Sequence, residues 1–126
     1  MTKDARWMIA LAALSIGIAT ALGAFGAHGL QAVLAPDRLA VFETAVKYQF
    51  YHSLGLLGIG LAVVARERRG ARLAERLVVA GMILFAGSIY ALTFGAPAWI
   101  GIVTPFGGLS LMAGWALFAL TAWSAR

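Results

Sequence analysis

A chain of 126 residues that is 62% hydrophobic and only 12% charged departs from soluble proteins, where about 45–50% and 25% are usual, and reads as one polytopic membrane domain over residues 1–126. The absence of cysteine excludes disulfides, thiol catalysis, cysteine-ligated zinc and iron–sulfur clusters. A net charge of +5 does not call for nucleic acid, because basic residues of a polytopic chain mark its cytoplasmic face and meet anionic lipid head groups.

The first apolar run, Trp7 to Ala27, follows Lys3 and Arg6 in the manner of a signal peptide. At 21 residues it exceeds the roughly 7–15 of a signal core, so a retained first span is expected. Ala13, Gly17, Ala21, Gly23 and Ala27 are small enough to admit a neighbouring helix. The glycines from Gly26 to Gly29 supply backbone freedom around His28 and predict a helix end or tight turn.

Ala35, Pro36 and Asp37 form a helix start, with proline in the first turn and an acid at the positive end of the dipole. From Pro36 the helix can run unbroken to Ala65, roughly 45 Å at 1.5 Å per residue. Its plain apolar part, Ser53 to Ala65, is too short to cross alone, since about 20 residues are needed. The crossing must therefore reach back to about residue 45. That draws His52, Gln49, Tyr48 and Lys47 into the outer part of the membrane and leaves Glu43 and Thr44 near its surface.

The stretch Arg66–Arg76 carries five of the ten basic residues and is expected to be a cytoplasmic loop. A third span follows from Leu77 to Phe94, with Gly81 and Gly87 as contact points and Ser88, Tyr90 and Thr93 toward its far end. Gly95 to Val103 is a breaker-rich, apolar linker that dips into the interface with Trp99 as an anchor. Thr104 and Pro105 make a cap and first turn for a fourth span. The expected fold is all-α: a four-helix transmembrane bundle with spans 7–27, 45–65, 77–94 and 105–123, whose long second helix projects beyond the bilayer on the outer side. Four crossings place both termini, with Lys3, Arg6 and Arg126, on the cytoplasmic side of the Arg66–Arg76 loop.

On the second helix, Glu43, Thr44, Lys47 and Tyr51 fall within about one third of the circumference, and Tyr48 and His52 continue the arc. With His28 they form the candidate polar cluster or ligand-binding site. Glu43 precedes Lys47 by four residues, the favoured order for an intrahelical ion pair. Competing readings are that Lys47 snorkels while the tyrosines serve as belt residues, or that the cluster locks the bundle. A metal is not expected, because Lys47 would set a positive charge beside any cation held by His28, Glu43 and His52. No haem motif accompanies the two histidines. The hydroxyls of Ser53, Ser88, Thr93 and Thr104 come without a nucleophile elbow, an acid pair or a phosphate loop. No catalytic residue and no cofactor is expected.

Four blocks carry a resemblance: GAFGAHGL from Gly23 to Leu30, FETAVKYQFYH from Phe42 to His52, FAGSIY from Phe85 to Tyr90, and TPFGG from Thr104 to Gly108. Together they resemble the signature of the YgdD/YwdK-type family, small four-span membrane proteins of unknown function. The resemblance implies a bacterial inner-membrane location and no enzyme activity, since the family has no agreed biochemical role to transfer. The expected function is a non-enzymatic structural, stabilising or accessory component, packed with lipids, with copies of itself or with a larger membrane complex. The alternatives are a small oligomeric transporter or channel, and a protein that binds a lipid head group or quinone at the outer face.

Overall fold

The computed structural model describes residues 1–124 and is all-helical among them. Four helices, α1 (Lys3–His28), α2 (Pro36–Ala65), α3 (Arg69–Thr93) and α4 (Val103–Trp123), are joined by short connections that include 3-10 turns at Leu30–Ala32 and Ala98–Ile102. Four helical stretches, the last including the second 3-10 turn, are long and apolar enough to cross a membrane. Arg126, counted above among the cytoplasmic charges, lies outside the described residues.

Local chemistry explains most of the boundaries. Thr2 caps α1 by accepting the Ala5 N–H at 3.3 Å, with Asp4 in the first turn. Pro36 and Asp37 open α2, which runs unbroken for 30 residues. At 1.5 Å per residue it is about 45 Å long and overshoots a hydrocarbon core of about 30 Å. At the far end from the arginines, Arg38 Nη1 donates to the Thr93 carbonyl at 3.4 Å and so covers an unpaired carbonyl at the negative end of α3.

Two boundaries differ from expectation. The loop placed over Arg66–Arg76 shrinks to Arg66–Arg68, because α3 already begins at Arg69. A helical turn satisfies its own backbone while long arginines reach water from its surface, so charge alone does not end a helix at a membrane edge. Thr104 does not cap α4, which begins at Val103. Its hydroxyl meets Ser88 Oγ at 2.6 Å instead. The helix end expected around His28 is present, since α1 stops there, but no glycine beside it adopts a left-handed backbone; among the described residues Gly95 alone does so, at φ 97°. Gly26 serves packing there, since a Cβ would sit 2.9 Å from the Phe42 ring.

Successive helices pack on one another, α1 on α2, α2 on α3 and α3 on α4. The buried residues of α1 are Ala5, Ala12, Ala19 and Gly26, one every seventh position, the repeat that keeps a single seam facing a partner. The small residues expected to make that contact, Ala13, Gly17, Ala21 and Ala27, are exposed. Having a full neighbour on one side only, α1 needs one seam and turns its other small residues outward. The α3–α4 contact is closest of all. A Cβ on Gly81 would lie 2.7 Å from the Leu111 nitrogen, and one on Gly114 would lie 2.7 Å from Val78, so the backbones touch as small-residue membrane interfaces allow. Gly87, the other expected contact point, has nothing within 4 Å of a Cβ. Leu56, Ile59, Val63, Val78 and Leu111 fill the centre of the half nearer the arginines.

Candidate functional site

In the other half, polar residues are buried among the apolar ones. Gln49 and Ser53 sit on the inward face of α2, 9% and 0% exposed, beyond the point near residue 45 where the crossing begins by length. Ser15 from α1 and Tyr90 from α3 close on them. The Tyr90 hydroxyl donates to Gln49 Oε1 at 2.6 Å. Gln49 Nε2 donates to the Ser15 carbonyl at 3.1 Å and approaches Ser15 Oγ at 3.3 Å. Ser15 and Ser53 hydroxyls are 2.6 Å apart, and Ser53 donates to the Met82 sulfur at 3.5 Å. The Ser15 carbonyl can only accept, which fixes the orientation of the Gln49 amide. One direction of donation then satisfies every partner: Tyr90 to Gln49, Gln49 to Ser15, Ser15 to Ser53, Ser53 to Met82. Three helices are tied by a chain with no spare donor along its length.

A second feature lies where α2, α3 and α4 meet. Trp115 sets the edge of its indole against Gly55, where any Cβ would collide with it. That position brings its Nε1–H to His52 Nδ1 at 2.9 Å. His52 also stacks on Tyr48, with centroids 5.9 Å apart and planes at 24°, and Tyr48 leans on Phe85 at 4.8 Å. Together with Gly108 and Met112 these rings line an open groove of about 480 Å³.

The structure divides the expected cluster. Tyr48, Tyr51 and His52 come together, with the two tyrosine rings 6.4 Å apart. Glu43 and Lys47 lie on another face, beside Gly23 of α1 in a shallow recess of about 240 Å³. Both are exposed and are not among the ion pairs of the described residues. Thr44 is exposed and returns its hydroxyl to the Ala40 carbonyl at 3.1 Å. His28 is exposed at the end of α1. Among the described residues no three histidine, aspartate or glutamate side chains converge as a metal site would require.

Sequence reasoning missed Ser15, Met82 and Trp115 as partners, and it left Gln49, Ser53 and Tyr90 outside the cluster. A signal was present, since Ser15 and Gln49 are isolated polar residues within crossings, where such groups turn inward to find partners. At the arginine end, Arg72 joins Asp4 of α1 at 2.7 Å and Glu67 of the connector at 2.8 Å. Beside it Glu75 is 8% exposed, and its Oε1 has no hydrogen-bond partner among the described residues.

The family described as "Protein of unknown function (DUF423)" matches residues 22–108, a span that runs from the end of α1 to the Gly107 contact. The chain belongs to the DUF423 family. It is 38% identical to a UPF0382 membrane protein of Staphylococcus haemolyticus over 90% of this chain and 92% of that one. It is 39% identical to a UPF0382 membrane protein of Haemophilus influenzae over 85% and 86%. It is 37% identical to the UPF0382 inner membrane protein YgdD of Escherichia coli K12 over 93% and 89%. No solved structure matches. Membership in DUF423 makes this a multi-pass membrane protein of a family without assigned activity, in agreement with the four apolar helices.

Proposed function

We propose that the protein is a non-enzymatic accessory component of the bacterial inner membrane, packed with lipid and with further copies or a larger membrane complex. Its termini and the arginine-rich turn face the cytoplasm, as the bias of basic residues favours. The supporting observation is the closed donor chain of Tyr90, Gln49, Ser15 and Ser53. A catalytic or transport site keeps polar groups available to a substrate, whereas here the buried hydroxyls and amide are spent on one another and hold three helices in register. Transport has less support. Glu43, the acid nearest the outer half of the bundle, stands exposed beside α1.

The test is purification in native-lipid nanodiscs followed by quantitative mass spectrometry of what travels with the protein. A stoichiometric protein or lipid partner is expected. Solute or ion flux through vesicles holding the purified protein alone would overturn the accessory role.

A second reading is favoured by the groove at His52, which keeps an available polar group inside the bundle wall. In that reading the protein binds a small lipid-soluble ligand between α2, α3 and α4.

A further inference from the structure

We infer that the groove beside His52 is a binding site for a neutral, planar, carbonyl-bearing lipid of the quinone class, an inference that rests on the second reading above. Trp115 donates to Nδ1, so the proton of a neutral His52 must reside on Nε2. No acceptor among the described residues bonds that Nε2–H. His52 stands about 20 Å along α2 from Ala65, well inside the hydrocarbon, where a polar group without a partner is costly. The missing group is an acceptor, and one that reaches this depth from the lipid.

Three further features select the acceptor. A charged ligand would lose its hydration on entry with no counter-charge lining the groove, so the occupant is neutral. The ester carbonyls of ordinary phospholipids sit at the head-group boundary, about 10 Å farther along α2 if the crossing begins near residue 45, so the carbonyl must belong to a molecule whose head group enters the core. The walls are aromatic faces. Tyr48 stacks with His52 at 24°, and Phe85 lies 4.8 Å from Tyr48, an arrangement suited to a flat ring in offset contact. Gly108 keeps the α4 wall low, since a Cβ there would already touch the Phe85 ring at 3.7 Å. At about 480 Å³ the groove lies within the roughly 300–1,000 Å³ of ligand pockets. It accommodates a substituted ring, and its open side lets an isoprenoid tail trail into lipid.

The probe is a decyl-substituted benzoquinone added to the protein in nanodiscs. Trp7, Trp99 and Trp123, exposed at 61%, 63% and 89%, are first replaced by Phe so that emission reports Trp115 alone. Saturable quenching is expected, weakened about 10-fold by His52→Phe, the order of one neutral hydrogen bond. A decyl-substituted dimethoxytoluene, with ring and tail but no carbonyl, should compete about 10-fold less well against the unaltered His52 protein, a comparison that holds even if His52→Phe fails to fold. Equal competition by the two compounds would overturn carbonyl recognition while leaving the ligand-binding reading intact. Absence of saturable quenching by the quinone would overturn both.

Discussion

Trp115 and His52 meet across α4 and α2 through a 2.9 Å hydrogen bond from the indole N–H to Nδ1, which the bare backbone of Gly55 makes room for. The pair sets a histidine tautomer from outside the histidine's own helix. Nitrogen-15 chemical shifts of the neutral ring are expected to show the Nε2–H form. In Trp115→Phe both tautomers should become populated, and Gly55→Ala should produce the same mixture by expelling the indole.

Gln49→Leu removes the centre of the donor chain, leaving the Tyr90 hydroxyl without its acceptor and the Ser15 carbonyl without the amide that donates to it. Thermal unfolding in mild detergent should show a loss of about 1–2 kcal/mol, the upper part of the range for interhelical hydrogen bonds in membranes. In a cycle with Tyr90→Phe, the double variant should lose less than the sum of the singles.

The glycines separate into two kinds. Gly107→Ala drives a methyl into the Phe85 backbone and Gly81→Ala drives one toward Leu111, so each should cost about 2 kcal/mol through overpacking. Gly17→Ala meets nothing within 4 Å and should stabilise the bundle by up to about 1 kcal/mol through helix propensity. Denaturation midpoints measured in one detergent decide both.

Glu75 keeps a buried oxygen with no hydrogen-bond partner among the described residues. Glu75→Gln preserves its shape and removes the need to solvate a carboxylate, so the thermal midpoint at neutral pH should rise, equivalent to about 1 kcal/mol. A lower midpoint would mean that the carboxylate finds a partner in the membrane.

Orientation can be read with single cysteines, because the chain has none of its own. Glu67 and Ala98 are exposed near opposite ends of the bundle. Glu67→Cys should label from the cytoplasmic side and Ala98→Cys from the other. Ala71, although among the arginines, is only 3% exposed and would label poorly from either side.

The helices were legible because a membrane leaves the backbone few choices. Apolar runs, Pro36 and the Arg66–Arg76 charges placed all four of them. Pairing was less legible. The seam of α1 uses Ala12 and Ala19 rather than Gly17 and Ala21, and sequence cannot distinguish two stripes of small residues on one helix until the partner's position is known. The polar residues failed for a related reason. Glu43, Lys47 and His52 share an arc on α2, but the neighbours of that arc differ along its length, so helical spacing joined groups that packing assigns to different grooves. Gln49, one residue beyond Tyr48, turns to a third direction and makes the densest set of bonds.

A seam of hydrogens and methyl groups has one more effect along α1. Ala5, Ala12, Ala19 and Gly26 freeze no rotamers when the helix docks, yet the attraction they supply decays steeply with distance. A substituent of ordinary size at any one of the four would hold the whole rod off its neighbour, and the shortfall would be shared by the other three. Attachment of the first helix is therefore close to all-or-none, a snap fastener among zips.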